Sequence, residues 1–272
     1  MSPEPRYEEP FAWWGPGWQS PTPRGIADVL RDETIDPWTA ANLWAALTRR
    51  QSVAVVSGAS GVGKTTLLTA LLDFLPPGTR RIYLRGCFET FSFLSDPTIA
   101  PSQTALMINE ISPHLPVYLW GPAVERVLSA AQRGFMLLAT AHAESVHDFV
   151  GALTGSPLHI RAAQTAAFEL VVVMERDEER QSKRGVRGVW RLEPTRDGVA
   201  VEQLYSSVHQ PSDISQETDW DKPDPTTWHP VWYPVQELVR RQQILDDVRD
   251  RRIAHLPLGS LFTDTGARDL EP

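Results

Sequence analysis

The chain has 272 residues, with 26 Lys+Arg against 34 Asp+Glu for a net charge of −8, and one cysteine. A negative balance supplies no global field for nucleic acid or anionic lipid, and Cys87 alone excludes an intrachain disulfide and argues against a cysteine-rich metal site, as suits a reducing cytoplasm. No run of about 18 apolar residues occurs, and the start Met1-Ser2-Pro3-Glu4-Pro5-Arg6 lacks the pattern of a signal peptide, so the expectation is a soluble, cytoplasmic α/β protein.

In chain order, residues 1–35 read as a Trp- and Pro-rich N-terminal segment. Two readings are open for its Trp13, Trp14 and Trp18: packing on the chain's own domain, or anchoring a neighbouring subunit or partner. Asp36-Pro37 is a helix cap followed by proline at the first helical position, after which Ala40, Leu43, Trp44 and Leu47 share one face. Ser52 to Val56 is a short β-branched run fit for a buried parallel strand. It runs into Ser57 and then Gly58-Ala59-Ser60-Gly61-Val62-Gly63-Lys64-Thr65-Thr66, and Leu67, Leu68, Leu71, Leu72 and Leu75 follow at helical spacing.

Gly-x-x-x-x-Gly-Lys-Thr between a strand and a helix is a phosphate-binding loop. Its glycines let backbone N–H groups turn inward on a polyphosphate while the helix adds its positive end. Lys64 would reach the β- and γ-phosphates of ATP, and the Thr65 hydroxyl would hold Mg²⁺. The alternative is a glycine-rich turn that binds nothing, and the loop by itself does not name a reaction.

Pro76-Pro77-Gly78 ends the helix, and Arg81 to Arg85 reads as a second strand leading to Glu89. Ala105 to Glu110 is an apolar strand closing on a carboxylate. Ligands of open α/β sheets sit at such strand ends, so Glu110 could meet the Mg²⁺ or its water, or it could merely start a surface loop. Gly121-Pro122 opens a helix bearing Val124, Val127, Leu128 and Ala131. Gly134 to Thr140 is a further buried strand, delivering His142 either as a sensor of the γ-phosphate or as a structural histidine. Ser145 to Leu153 reads as a helix and Phe168 to Met174 as a strand. Val186 to Leu192 and Val199 to Tyr205 read as a hairpin, with the charged run Glu175 to Arg187 before it taken as a solvated loop. The domain would end near 208, with a linker over 209–234. Residues 235–272 hold a helix, Val235 to Arg252, with Val235, Leu238, Leu245 and Val248 on its stripe and a Glu237/Arg241 pair.

This succession resembles the ATPase domain of the type II/IV secretion superfamily, which includes the Tad/CpaF, VirB11 and PilT-like motors. The likeness runs from about Leu43 to Tyr205. Ala105 to Ile111 stands in place of the family's strand ending Gly-Glu, and Ala139 to Ser145 in place of its Thr-x-His-Ala-x-Ser box. It implies a P-loop NTPase (RecA-like) over 36–208, with a mostly parallel central sheet flanked by helices, a C-terminal β-hairpin and an appended helix. It also implies a hexameric ring with nucleotide at a subunit boundary, and secretion or pilus platform proteins of the inner membrane as partners, with no nucleic acid expected. The family's acidic box appears as Leu84-Arg85-Gly86-Cys87-Phe88-Glu89, so only Glu89 remains, and the Arg that follows the family's Gly-Glu is missing. Those departures imply a compact, divergent member with Glu110, Glu89 and His142 as its catalytic candidates and with slow or partner-dependent turnover. A P-loop small-molecule kinase explains the loop but not the His142 box.

Overall fold

The computed structural model describes residues 24–177, 183–206, 234–253 and 256. The Trp13/Trp14/Trp18 segment and residues 209–233 of the expected linker lie outside the described residues. Helices α1 (Ile26–Arg31) and α2 (Pro37–Thr48) come first, then strand β1 (Val53–Val56) and helix α3 (Lys64–Leu71). They are followed by β2 (Arg80–Tyr83), β3 (Thr104–Ile111), α4 (Pro122–Ala131), β4 (Met136–Ala141), α5 (Val146–Thr154) and α6 (Ala162–Thr165). Strands β5 (Leu170–Asp177), β6 (Lys183–Pro194) and β7 (Val199–Ser206) and helix α7 (Val235–Arg249) complete the described elements.

Among the described residues the strands form one seven-stranded sheet in the order β2-β3-β4-β1-β5-β6-β7. Pairing is parallel from β2 through β5 and antiparallel from β5 to β7. The inner parallel strands β1, β3, β4 and β5 carry continuous apolar runs because both faces are covered, whereas β2, at the edge, opens with Arg80 and Arg81. Period-2 alternation divides them: Val53 and Val55 of β1 face a core built with α1, α2, α3 and α7, while Ala54 and Val56 face one built with α4 and α5. The expected α/β class, mostly parallel sheet, hairpin and appended helix are all observed. The cap is also as read, since the Asp36 side chain accepts from Thr39 N at 2.8 Å.

Two boundaries differ from expectation. The charged run after Met174 is not a loop from Glu175 onward: β5 continues to Asp177 and β6 starts at Lys183, with Glu175 opposite Gly185 and Arg176 opposite Arg184. An Arg187–Glu175 ion pair ties this polar ribbon together, which strand alternation does not anticipate. Helix α7 ends at Arg249 instead of Arg252, and its buried stripe is Leu238, Arg241, Leu245 and Val248, with Val235 exposed. It packs on α1 and α2. At the end of the segment 1–35, Ile26, Val29 and Leu30 of α1 are buried in that same core.

Candidate nucleotide site at the carboxyl ends of the strands

The loop after β1 is shaped by its glycines. Gly61 and Gly63 take φ of +71° and +103°, a region where a side chain is strained, and Gly63 caps α3, which starts at Lys64. Gly58 is required for a different reason: a Cβ there would stand 2.4 Å from Glu144 Cγ and 3.2 Å from Glu144 Cα. The connection after β4 therefore lies directly against the first glycine of the loop. Val62 is buried in the core and anchors the middle of the loop, Ala59 N donates to Ser57 Oγ at 3.2 Å, and Ala59, Ser60 and Gly61 are exposed. Thr65 and Thr66 follow Lys64 in the first turn of α3, both half-buried.

Lys64 is buried. Among the described residues its Nζ has two oxygen partners, Ser57 O at 3.5 Å and Glu110 Oε1 at 3.5 Å. Both contacts are long for charge-assisted bonds, which run about 2.7–2.9 Å. The ammonium is thus placed but loosely held.

Glu110 reaches Lys64 through an irregularity in the sheet. Ile108 pairs with Ala139 and Ile111 with Ala141, so β3 carries one residue more than β4 across this step. Such a bulge bends a strand and re-aims a side chain. The Thr140 hydroxyl lies against Asn109 O and 3.1 Å from Glu110 Oε2, holding the carboxylate from β4. Strand β4 separates β1 from β3, so loop and acid meet across it.

His142, two residues beyond Thr140, is half-buried with its ring centroid 4.0 Å from that of His114. Burial, then the neighbouring His114 and Lys64, holds its pKa below the ordinary imidazole value against the pull of Glu110 and Glu144. Burial, and then the Glu110 charge, pushes the Tyr118 phenol up.

The Glu89 carboxylate is engaged within its own loop. Its Oε2 accepts from Arg85 N at 2.9 Å and its Oε1 from Phe91 N at 2.8 Å, so the carboxylate closes its own loop after β2. The structure thus brings Lys64, Glu110 and His142 together with the glycine loop. Sequence reasoning missed three neighbours. Thr140 and Glu144 stand inside the Ala139 to Ser145 box without an assigned role, whereas His114 sits on a connection with no periodicity to flag it.

No protein-family model matches the chain, and no curated protein matches it. Among solved structures it is similar to the VirB11 ATPase of the Brucella suis type IV secretion system in complex with sulphate, at 20% identity and a TM-score of 0.40 over 56% of this chain and 52% of that one. It is also similar to the Legionella pneumophila ATPase DotB, at 13% identity and a TM-score of 0.35 over 60% of this chain and 52% of that one. The chain spans about half the length of these structures. Among its described residues no helix is long and apolar enough to cross a membrane.

Proposed function

We propose that the chain is a P-loop ATPase that binds Mg·ATP, and that it serves as a motor subunit of a secretion or pilus-type assembly at the cytoplasmic face of the membrane. The observation that carries the first part is Lys64, buried at the start of α3 and held by two 3.5 Å contacts that a phosphate can replace. A polyphosphate suits this place because turned backbone N–H groups, a helix N-terminus and an ammonium converge on it. A hard divalent cation suits the Thr65 hydroxyl and the Glu110 carboxylate, both oxygen donors. Bound there, Mg²⁺ would supply the positive charge that offsets the phosphates.

Lys64, drawn to the phosphates, would leave Glu110 free to orient the attacking water, the carboxylate being fixed by Thr140. His142 would read the γ-phosphate from the end of β4. The secretion or pilus role rests on the resemblance carried by the loop, Glu110 and the His142 box. A ring is supported by exposed Phe88, Leu115 and Val117, apolar side chains on the two loops beside the site, which Cys87 N joins to Val117 O at 3.2 Å. Such surface suits a second copy of the chain.

A second reading, a nucleotide-binding ring component with decayed hydrolysis, is favoured by one observation: the only acid left in the acidic box, Glu89, is engaged by backbone N–H groups. Titration with a fluorescent Mg·ATP analogue tests the shared premise. Lys64→Ala is expected to weaken binding about 10- to 100-fold through loss of a charge-assisted phosphate contact. Equal affinity in wild type and variant overturns both readings, and steady-state phosphate release by the wild type separates them.

A further inference from the structure

The connection after β3 is a built loop. Leu119 N donates to Glu110 O at 3.0 Å, and Ser112 N donates to Leu119 O at 3.3 Å, closing residues 112–119 beside the bulge that aims Glu110. Within it Tyr118 N donates to Leu115 O at 3.0 Å, and His114 N donates to the hydroxyl of buried Ser112 at 3.1 Å. Cys87 N, on the neighbouring loop, donates to Val117 O at 3.2 Å. Although exposed, His114 is therefore carried on a fixed frame. Its ring lies against that of His142, with centroids 4.0 Å apart and planes tilted by 52°. Lys64 from α3, Glu110 from β3 and Glu144 from the β4–α5 connection are the other charged groups around His142.

We propose that His114 is a positioning residue: its ring on the pinned loop fixes the orientation of His142, so that the end of β4 and the end of β3 bearing Glu110 respond to the γ-phosphate as one unit. The inference rests on the site being one that hydrolyses Mg·ATP. A ring packed against a ring removes the rotamer freedom of both side chains, and a loop tied to the backbone of Glu110 links that constraint to the acid. An imidazole free to rotate would sample orientations that miss the phosphate, lowering kcat while leaving the loop's phosphate contacts intact.

The test uses the full chain in two measurements. First, without nucleotide, the ring-proton resonances of His142 are recorded by NMR in the wild type, His114→Ala and His114→Phe. The ring-current displacement is expected to vanish in the alanine variant and to persist with phenylalanine, and an unchanged His142 resonance in His114→Ala overturns the contact itself.

Second, steady-state phosphate release is measured for the same proteins, for His142→Ala and for the double variant. His114→Ala is expected to lower kcat about two- to tenfold, the range of an aromatic pair, with KM unchanged. His114→Phe should recover most of the rate, and the double variant should be no slower than His142→Ala, as residues acting as one unit behave. Full kcat in His114→Ala, or additive losses, overturns the proposal while leaving the nucleotide site standing. A wild type that binds Mg·ATP without turnover also overturns it, since no kcat exists for the pair to raise. A wild type that fails to bind Mg·ATP overturns the reading of the site itself.

Discussion

Among the described residues, two cation–carboxylate pairs have a buried cation, and they are built on opposite principles. Beside the end of α2 that feeds β1, Arg241 Nη2 lies 2.8 Å from Glu237 Oε1, its Nε 3.1 Å from the same oxygen and its Nη1 3.2 Å from Thr48 Oγ1. Its guanidinium sits 4.8 Å above the Trp44 ring, itself stacked on Phe74, and Arg49 binds the other oxygen of Glu237 at 3.0 Å. At the carboxyl end of β1, Lys64 has two contacts of 3.5 Å. A buried charge is tolerated when its donors are matched, which is the case for Arg241. Where the matching is loose, the cation is free to change partners. Short, multiple bonds mark the structural pair, and long, replaceable ones mark the pair proposed to serve a ligand.

The comparison breaks most visibly at Glu110. Glu110→Gln keeps the size of the side chain and removes the charge, so turnover is expected to fall about 10²- to 10⁴-fold, the range of a general base. Mg·ATP affinity should stay within about tenfold, because the loop's contacts survive. Phosphate release at the wild-type rate would show that Glu110 is as structural as Glu237.

Removing the other cation should have the converse effect. Arg241→Ala leaves Glu237 with one partner fewer and strips a guanidinium from Trp44, costing about 3 kcal/mol in urea unfolding, toward the low end for a broken buried pair because Glu237 is partly exposed. Nucleotide affinity should not move. An unfolding midpoint equal to the wild type would mean the pair contributes nothing to the fold.

How much of this was legible beforehand follows the same division. The loop pair announces itself, because Gly-x-x-x-x-Gly-Lys-Thr between an apolar strand and a leucine-patterned helix dictates local geometry from adjacent residues. The core strands were equally plain, each being a continuous apolar run. The Arg241 pair was half legible: its i,i+4 spacing to Glu237 could be read, but burial against Trp44 could not, since it joins residues almost 200 positions apart and puts a charge where the stripe called for an apolar side chain. The bulge at Asn109–Glu110 was invisible for a related reason, being a property of register between β3 and β4. His114 could not be placed either, since a loop interrupted by Pro113 and Pro116 carries no period. The Glu175–Arg187 ribbon was misread because cross-strand charge pairing competes with solvation and leaves no alternating signature.

The loop side of the comparison sharpens at Gly58. Gly58→Ala puts a methyl 2.4 Å from Glu144 Cγ and 3.2 Å from Glu144 Cα, so the connection bearing His142 must move. Overpacking of this kind costs about 1–3 kcal/mol. Because Glu144 precedes Ser145, whose hydroxyl caps α5 by accepting from Asp148 N, the shift should pass to both His142 and the helix start. Isothermal titration is expected to show Mg·ATP binding about tenfold weaker. Undiminished binding would show that the loop and the β4 connection move independently.

The smallest expected effect separates the two regions by pH. Burial, His114 and Lys64 hold His142 below 6.5 in the folded chain, so as pH falls below 6.5 the unfolded chain takes up its proton first. Stability then rises with pH through that window and is lost on acidification toward the folded value. For Glu237, burial works upward but is outweighed by hydrogen bonds and charge from Arg49 and by Arg241, so its pKa lies below 4.5. The stability it contributes is present above 4.5 and is lost as pH falls through the folded value. Asp73 and Glu169, raised by burial, act the other way in the carboxylate range, since the folded chain binds their protons more readily. The informative quantity is therefore a difference between wild type and variant. His142→Gln is expected to flatten the loss of unfolding midpoint between about pH 6.5 and pH 5 while leaving the wild-type course below about pH 4.5 unchanged, and Glu237→Gln should alter only the latter. If His142→Gln instead keeps the full loss in the upper window, the imidazole is not held neutral by its surroundings, and the loose arrangement around Lys64 does not extend to the end of β4.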